Sequence, residues 1–233
     1  MYINVAATAD GKIDTFARRG ASISSNRDKE RVDALRASSD AVMIGGRTLH
    51  GDDPKLTVKA DSLRRAREAR GLAPNPAKVA VASRLELKPD CRFLTAGPAR
   101  IILLTTARTA EAELSRLRSN GAVVHVLGDS RVNLVQALRL LKQEGVQRLM
   151  VEGGATLNFE LLSLRLVDEL TVFVAPMIFG GESAPTLAAG LGLTAEAAIP
   201  LQLVNADPWE DGGVLLHYQV REEDRPQLLS ADS

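Results

Sequence analysis

Residues 41–58 read AVMIGGRTLHGDDPKLTV, and this stretch decides the predicted fold. Its first four residues, 41–44, form a short apolar run that is typical of a buried strand. The run ends at Gly45 and Gly46, and a polar helical turn and an extended piece follow. A strand that ends in glycines and opens onto polar groups builds a ligand-binding edge. We therefore expect one half of a binding site here.

A second strand that runs into glycines lies at residues 151–158, VEGGATLN. Small residues between a strand and the start of a helix leave backbone N–H groups available for a phosphate. The motif is neither G-x-x-x-x-G-K-[ST] nor G-x-G-x-x-G, and many strand–helix turns carry glycines for geometry alone. We interpret this stretch as the other half of the site.

The composition excludes several classes of protein. Hydrophobic residues make up 45% of the 233 residues and charged residues 25%, as in ordinary globular proteins. A formal net charge of zero argues against a general nucleic-acid or membrane-surface binder. One cysteine, Cys91, allows no intrachain disulfide, and no stretch reaches the ~18 apolar residues of a membrane span. We expect a cytoplasmic enzyme with a single domain over residues 1–222 and a polar tail over residues 223–233.

Strand and helix patterns alternate along the chain. Strands are predicted at 2–8, 40–44, 78–83, 100–105, 122–127, 147–152 and 168–175, and helices at 26–38, 60–71, 109–119, 133–144 and 156–164. Such alternation implies parallel neighbouring strands with right-handed crossovers. Two late strands at 201–206 and 214–220, joined through Gly212 and Gly213, predict an antiparallel hairpin. The predicted class is therefore α/β, with a mixed, mostly parallel sheet.

The residues offer little for hydrolytic or metal chemistry. The three histidines are scattered, and no His or carboxylate stands at metal-ligand spacing near Asp52 and Asp53. These two aspartates are adjacent, so they cannot share one face as an acid/base pair. They either act in a site or only hold a helix end. What remains is an enzyme for a phosphorylated ligand or nucleotide, in which a cofactor supplies the difficult chemistry.

Five segments together resemble the riboflavin-biosynthesis reductase family, whose fold is like that of dihydrofolate reductase. They are ADGKID (9–14), LRASSDAVMIG (35–45), TLHGDDPKLTV (48–58), VEGGATLN (151–158) and VDELTVFVAPMIFGG (167–181). The resemblance implies a three-layer fold with a central sheet flanked by helices, and a homodimer. It implies that a 5-amino-6-ribosylamino-pyrimidinone 5′-phosphate is reduced with NADPH to the ribitylamino product, through an opened imine form of the sugar.

The resemblance also assigns site residues. Cofactor contacts are expected at Ala6, Thr48, Asp52 and Ser83, and the cofactor phosphates are expected at the loop Gly153, Gly154, Ala155 and Thr156. Substrate contacts are expected at Arg36, Leu56, Lys59 and Glu152. Arg36 and Lys59 would face the substrate phosphate, and Glu152 would accept hydrogen bonds from the pyrimidine or ribose. Asp52 is the expected catalytic residue, and whether it also helps to move a proton stays open.

The chain departs from the family pattern at three places. Ala155 replaces the third glycine of EGGG, and Lys59 stands where bacterial members often have arginine, which removes bidentate phosphate binding. The arginine-rich segment 60–70 is longer than in compact relatives. The chain lacks the H-x-E and P-C-x-x-C motifs of the zinc deaminase domain that precedes the reductase in bifunctional relatives.

Two other functions stay open at this point. One is a reductase of the same fold that acts on a pterin or dihydrofolate, although Arg36 and Lys59 have little purpose without a phosphate. The other is a non-catalytic module that docks a separate deaminase, which need not bind NADPH. The sequence decides neither between the deaminated and non-deaminated pyrimidine nor between NADPH and NADH.

Overall fold

A computed structural model of the protein describes residues 1–221. The chain forms two compact units, one made of residues 1–29 and the chain from Val151 onward, and the other of residues 30–150. The single domain over residues 1–222 stays a prediction, and the tail 223–233 lies outside the described residues.

Strands and helices alternate through most of the described chain. The strands are β1 Tyr2–Thr8, β2 Ala41–Gly45, β3 Ala77–Val81, β4 Ile101–Thr105, β5 Val123–Val126, β6 Leu149–Val151, β7 Glu169–Ala175, β8 Leu201–Pro208 and β9 Val214–Val220. The helices are α1 Asn26–Ser38, α2 Gly46–Asp52, α3 Asp61–Glu68, α4 Arg92–Thr95, α5 Glu111–Ser119, α6 Leu134–Gln143 and α7 Ala155–Ser163.

In the unit of residues 30–150, the strands lie in the order β5-β4-β3-β2, and all neighbours run parallel. All five residues of β2 are buried, as expected for a parallel strand with both faces covered. The register pairs Gly45 of β2 with Val81 of β3, so these two strands end at the same level. The segments that follow them, α2 after β2 and residues 82–83 after β3, therefore lie at one edge of these strands.

In the other unit, the strands lie in the order β1-β7-β9-β8. β1 and β7 are parallel over their full lengths, from Tyr2 opposite Glu169 to Thr8 opposite Ala175. β9 runs antiparallel to both β7 and β8. The predicted antiparallel hairpin is therefore confirmed, and so is the mixed, mostly parallel character of the strands.

The local differences from the predicted elements have physical causes. Residues 55–58, predicted to be extended, are interrupted by the left-handed conformation of Leu56, and the backbone of Thr57 and Val58 bonds to side chains instead of a neighbouring strand. The four-residue helix α4 was missed, since its sequence RFLT is too short for a helical period to show. Lys78 is the first residue of the alternating stretch KVAVAS, yet its side chain is fully buried.

Two features are absent from the described part of the chain. No helix within residues 1–221 is long and apolar enough to cross a membrane. Over the same residues, His, Cys, Asp and Glu side chains form no group of three or more that could hold a metal ion.

Candidate functional site

The edge formed by β2 and β3 carries the first group of predicted site residues. Thr48 lies half-buried on α2, which follows β2 directly, and Ser83 lies half-buried two residues after the end of β3. A Cβ atom at Gly46 would stand 2.9 Å from the Cβ of Ala82, so glycine lets α2 begin against the end of β3. The side-chain hydroxyl of Thr106 donates to the carbonyl of Ser83 at 2.6 Å. The structure thus brings Thr48 and Ser83 to one sheet edge.

Of the two adjacent aspartates, Asp53 has a structural function, because it holds the start of a helix. Its carboxylate accepts hydrogen bonds from the backbone N–H groups of Arg92 and Phe93, both at 2.8 Å, at the start of α4. Burial raises the pKa of Asp53, but these two hydrogen bonds and the charge of Arg92 outweigh it and lower that pKa below the ordinary value. Asp52 is exposed at the end of α2, and its carbonyl accepts a hydrogen bond from the Arg92 guanidinium at 2.5 Å.

Lys78 holds the opposite end of α4. Its ammonium donates to the carbonyls of Phe93 and Ala96 at 2.9 and 2.5 Å. Burial lowers the pKa of Lys78 to about 8, although Cys91 and Asp53 act in the opposite direction. With an anion at its first N–H groups and a cation at its last carbonyls, this short helix is fixed at both ends. Through Asp53, α4 also fixes the end of α2, where Asp52 lies.

The predicted substrate residues of this unit converge on one irregular segment, residues 56–59. Leu56 is 1% exposed and has a φ of +50°, a left-handed conformation that is uncommon for leucine. The guanidinium of Arg36 donates to the carbonyl of Thr57 at 3.2 Å. Lys59 follows two residues later with an exposed side chain. Arg36 and Lys59, which are 23 positions apart in sequence, therefore meet at the same segment.

Two buried polar residues that sequence reasoning missed also hold this segment. Asp33 accepts hydrogen bonds from the N–H groups of Lys59 and Ala60, and Asn75 accepts one from the N–H of Val58. Asp33 is 6% exposed and Asn75 is 4% exposed. The one signal in the sequence was an acidic residue on the inward face of α1, four positions before the buried Ala37. Polar residues on buried faces of helices need partners, and here the partners are backbone groups of the site segment.

The loop 152–154 and the start of α7 carry the predicted site residues of the other unit. Glu152 is half-buried directly after β6, and Gly153 is buried with a φ of +101°. The Gly153–Gly154 peptide bond is cis. Gly154 is the N-cap of α7 and provides no side-chain hydrogen bond to the first turn. The first turn, with Ala155 buried and Thr156 exposed, thus has no capping side chain from its N-cap residue.

The remaining residues of this unit explain how α7 and β1 are held. Asn158, which sequence reasoning also missed, donates from its amide to the carbonyl of Leu187 at 2.9 Å. The N–H of Ala189 donates to the carbonyl of Ala155 at 3.0 Å, so the segment before residue 190 holds the start of the helix. Ala6 is half-buried on β1 opposite Phe173, and it packs against the hydrophobic core cluster that contains Phe173.

The predicted residues therefore form two groups, each within one unit. The group of residues 30–150 comprises Thr48, Asp52, Ser83, Arg36, Leu56 and Lys59, and the other comprises Ala6, Glu152, Gly153, Gly154, Ala155 and Thr156. The first offers two cationic side chains beside an irregular backbone, and the second offers a helix N-terminus. Both are features that bind anions. The roles assigned to individual residues stay predictions.

Comparisons with known proteins give the family. Residues 1–215 match the family model described as the RibD C-terminal domain. The 2,5-diamino-6-ribosylamino-4(3H)-pyrimidinone 5′-phosphate reductase of Archaeoglobus fulgidus is 43% identical over 82% of this chain and 86% of its own. The enzyme of the same name from Methanothermobacter thermautotrophicus is 41% identical over 87% of this chain and 90% of its own.

Solved structures agree on the fold. A pyrimidine reductase-like protein from Corynebacterium diphtheriae superposes with a TM-score of 0.80 at 19% identity, over 95% of this chain and 91% of its own. RibD from Acinetobacter baumannii gives a TM-score of 0.76 at 21% identity, over 95% of this chain and 58% of its own. The fold class expected from the resemblance is thus confirmed. Because residues 1–215 of its 233 residues match the family model, the chain belongs to the RibD C-terminal domain family.

Proposed function

We propose that this chain is an NADPH-dependent reductase that acts in riboflavin biosynthesis on 2,5-diamino-6-ribosylamino-4(3H)-pyrimidinone 5′-phosphate. The observation that carries the proposal is the similarity to two reductases of that name, at 43% and 41% identity over more than four fifths of each chain. The relative named RibD from Bacillus amyloliquefaciens is less similar, at 27% identity, and this chain spans 51% of its length. The non-deaminated pyrimidine is therefore the favoured substrate.

The substrate phosphate is assigned to Arg36 and Lys59. Both are cationic, and they are attached to the same segment of backbone through the bond from Arg36 to the carbonyl of Thr57. Arginine presents a planar fork of donors, whereas lysine binds phosphate as a point charge. An unphosphorylated pterin or dihydrofolate would leave these two cations without a purpose, which disfavours that alternative.

The cofactor is assigned to the N-terminus of α7 and to the residues Thr48 and Ser83. The N-terminus of α7 carries a partial positive charge, and its N-cap is a glycine without a side chain, so its first N–H groups suit the phosphates of NADPH. At the edge of β2 and β3, Thr48 and Ser83 are assigned to the rest of the cofactor. When bound, the nicotinamide cofactor supplies the hydride that reduces the opened sugar at its C1 atom.

Three residues remain to be assigned. Glu152 is assigned to accept hydrogen bonds from the pyrimidine or ribose, and Leu56, which is 1% exposed, to support the substrate side of the segment that carries Lys59. Asp52 is assigned to the reacting centre, where its carboxylate orients the reactants and can hold a proton. The fixed end of α2 supports this assignment, because α4 and Asp53 hold the backbone of Asp52 in place.

A substrate panel tests the proposal. We expect NADPH oxidation with the diamino pyrimidine phosphate, a lower kcat/KM with its deaminated counterpart, and no oxidation with dihydrofolate. Turnover of dihydrofolate without turnover of either pyrimidine would overturn the proposal. If the protein binds neither these substrates nor NADPH, the non-catalytic docking module is favoured instead.

Asp52 has a test of its own. Asp52→Ala is expected to lower kcat by about 100-fold or more, in the range seen for removal of acid–base or electrostatic groups. Since the side chain is exposed, the melting temperature should stay close to that of the wild type. Asp52→Asn separates the two open roles, because it retains a polar contact but cannot hold a proton. Wild-type kcat in the alanine variant would remove Asp52 from the site.

The chain is further proposed to act as a cytoplasmic homodimer. The apolar strand β7 lies between β1 and β9 and is not available to a second chain. Support comes instead from the edge strand β8, where Leu201, Leu203 and Val204 are 37%, 52% and 49% exposed. Exposed apolar edge strands invite pairing with another chain. Sedimentation of the wild type against Leu203→Lys tests this, since a monomer in both cases would contradict it.

A further inference from the structure

The segment 56–59 is fixed by side chains, although it belongs to no strand. The N–H of Val58 donates to the side-chain oxygen of Asn75 at 2.9 Å. The guanidinium of Arg64 donates to the carbonyls of Val58 and Lys59 at 2.9 and 2.7 Å. Backbone that is not paired in a sheet is usually free to move, and here these bonds replace the missing partner strand.

Asp33 is the buried anion in this arrangement. Its Oδ1 atom accepts the N–H of Lys59 at 2.7 Å, and its Oδ2 atom accepts the N–H of Ala60 at 2.8 Å. The residue is 6% exposed, so the carboxylate depends on these donors for its stabilisation. Hydrogen bonds to a carboxylate are shorter and stronger than neutral ones. Two consecutive N–H groups bound to one rigid carboxylate fix the orientation of the backbone at Lys59, and with it the direction of the lysine side chain.

Arg36 stands one helical turn after Asp33 on α1. Residues three positions apart lie on the same face of a helix. The guanidinium of Arg36 bonds to the carbonyl of Thr57, while Asp33 bonds to the N–H of Lys59, two residues further along the same segment. One face of α1 therefore holds both cations that the proposed function assigns to the substrate phosphate. Arg36 belongs to the helix itself, and Lys59 is attached to it through Asp33.

We propose that Asp33 is a positioning residue for recognition of the substrate's 5′-phosphate. It acts through the backbone of Lys59 and not by contact, since a carboxylate facing a phosphate would repel it, and both of its oxygens are engaged by N–H groups. The inference rests on the proposed function. Its consequence is specific: loss of the two bonds displaces Lys59 and weakens binding of the phosphorylated substrate, while NADPH binding and the chemical step are preserved.

A purely structural function of Asp33 makes a different prediction. Its carboxylate lies at the residues that precede α3, so it also stabilises the start of that helix by charge. If this were its only function, its loss would lower the stability without changing selectivity for the phosphate. The ratio of kcat/KM between the phosphorylated and dephosphorylated substrates therefore separates the two functions.

The experiment compares Asp33→Asn with Asp40→Asn. Asp40 is a matched control, because its carboxylate also accepts two consecutive backbone N–H groups, those of Gln147 and Arg148, at 2.9 and 2.7 Å in the same unit. We expect Asp33→Asn to raise KM for the phosphorylated substrate about tenfold, with KM for NADPH and kcat within about twofold of the wild type. With the dephosphorylated substrate, the variant and the wild type should agree. Asp40→Asn should lower the melting temperature and leave the phosphate selectivity unchanged.

Two further variants keep the test decisive. Asp33→Glu retains the charge and both oxygens and should recover part of the phosphate selectivity, and it replaces Asp33→Asn if that variant does not fold. In a Lys59→Gln background, Asp33→Asn should add at most about a twofold change in KM, because the two residues act as a unit.

The outcomes are distinguishable. If the wild type turns over the phosphorylated pyrimidine and the Asp33 variants keep its phosphate selectivity, the inference is overturned and the proposed function stands. If the wild type does not turn over that substrate, both are overturned. A tenfold loss of phosphate selectivity in Asp33→Asn that is absent in Asp40→Asn supports the inference.

Discussion

The two segments assigned to ligand binding, residues 46–60 and residues 152–158, are fixed by different means. The first combines the short helix α2 with irregular backbone, which is held by Asp33 and Asn75 from elsewhere in its unit and by the bond of its own Asp53 to α4. The second is a short glycine turn that leads directly into a nine-residue helix. Side chains distant in sequence fix the first segment. In the second, the turn 152–154 depends on its own backbone conformation, and bonds to Leu187 and Ala189 hold the helix that follows. Variants of the two segments should therefore fail in different ways.

The largest effect is expected where the backbone conformation itself is unusual, in the turn before α7. Gly153 has a φ of +101°, which side-chain-bearing residues rarely adopt, although a Cβ there would meet no atom closer than 3.8 Å. Gly153→Ala is expected to lower NADPH affinity by about 30-fold, since such backbone strain is worth on the order of 1–3 kcal/mol. Titration of the cofactor by fluorescence measures this.

A control for Gly153→Ala is available in the other unit. Gly145 ends α6 with a φ of +90°, and a Cβ there would meet nothing within 4 Å. Gly145→Ala should carry a similar cost in stability and leave NADPH affinity unchanged. Equal losses of affinity in both variants would show that strain alone, and not the loop, is responsible.

The next effect concerns the close approach of α2 to β3. Gly46→Ala would bring a Cβ to within 2.9 Å of that of Ala82, and the helix must shift to accept it. We expect KM for NADPH to rise about tenfold, since overpacking costs about 1–3 kcal/mol. Gly51→Ala on the same helix meets nothing within 4 Å and serves as the control. A normal KM in Gly46→Ala would remove this sheet edge from the cofactor site.

A smaller effect, on stability, is expected from Asp53. Asp53→Asn loses one of the two charged hydrogen bonds at the start of α4 and should destabilise the fold by about 1–2 kcal/mol at neutral pH. The pKa of Asp53 is lower in the folded protein than its ordinary value of 3.8, so the carboxylate contributes stability above that pH. The contribution is lost as the pH falls through the lowered folded pKa. Urea unfolding from pH 7 to pH 3 should show the variant and the wild type converging, and a constant difference would contradict the assignment.

The last effect is expected at Lys78, where the stability of the wild type again rises with pH, but in the alkaline range. Burial lowers the pKa of Lys78 from 10.5 to about 8, so between these values the unfolded chain binds more protons than the folded one. Raising the pH from 8 to 10 should therefore stabilise the wild type relative to Lys78→Met, by on the order of 1 kcal/mol. The difference between the two proteins in urea unfolding measures it. A difference that stays flat with pH would show that the fold does not lower the pKa of Lys78.

The same contrast explains which features the sequence could predict. The strands, the hairpin and the glycine turn before α7 follow from local patterns, and Gly153 and Gly154 stand out by residue type alone. Asp33, Asn75 and Lys78 do not, because their partners are backbone groups distant in sequence or on a helix too short to recognise. Their burial depends on tertiary packing, which periodicity does not show. The roles of Asp53 and Asp52 separate for the same reason, since α4 was not foreseen.

The most direct test of the central claim is the ratio of kcat/KM for the phosphorylated and dephosphorylated diamino pyrimidine in the wild type, measured by NADPH oxidation. Recognition of the phosphate by Arg36 and Lys59 predicts a ratio of about 100 or more, since two charged contacts are worth about 3 kcal/mol together. Turnover of both substrates with a ratio near one would contradict the account, because the segment 56–59 and its supports would then not recognise the substrate through its phosphate.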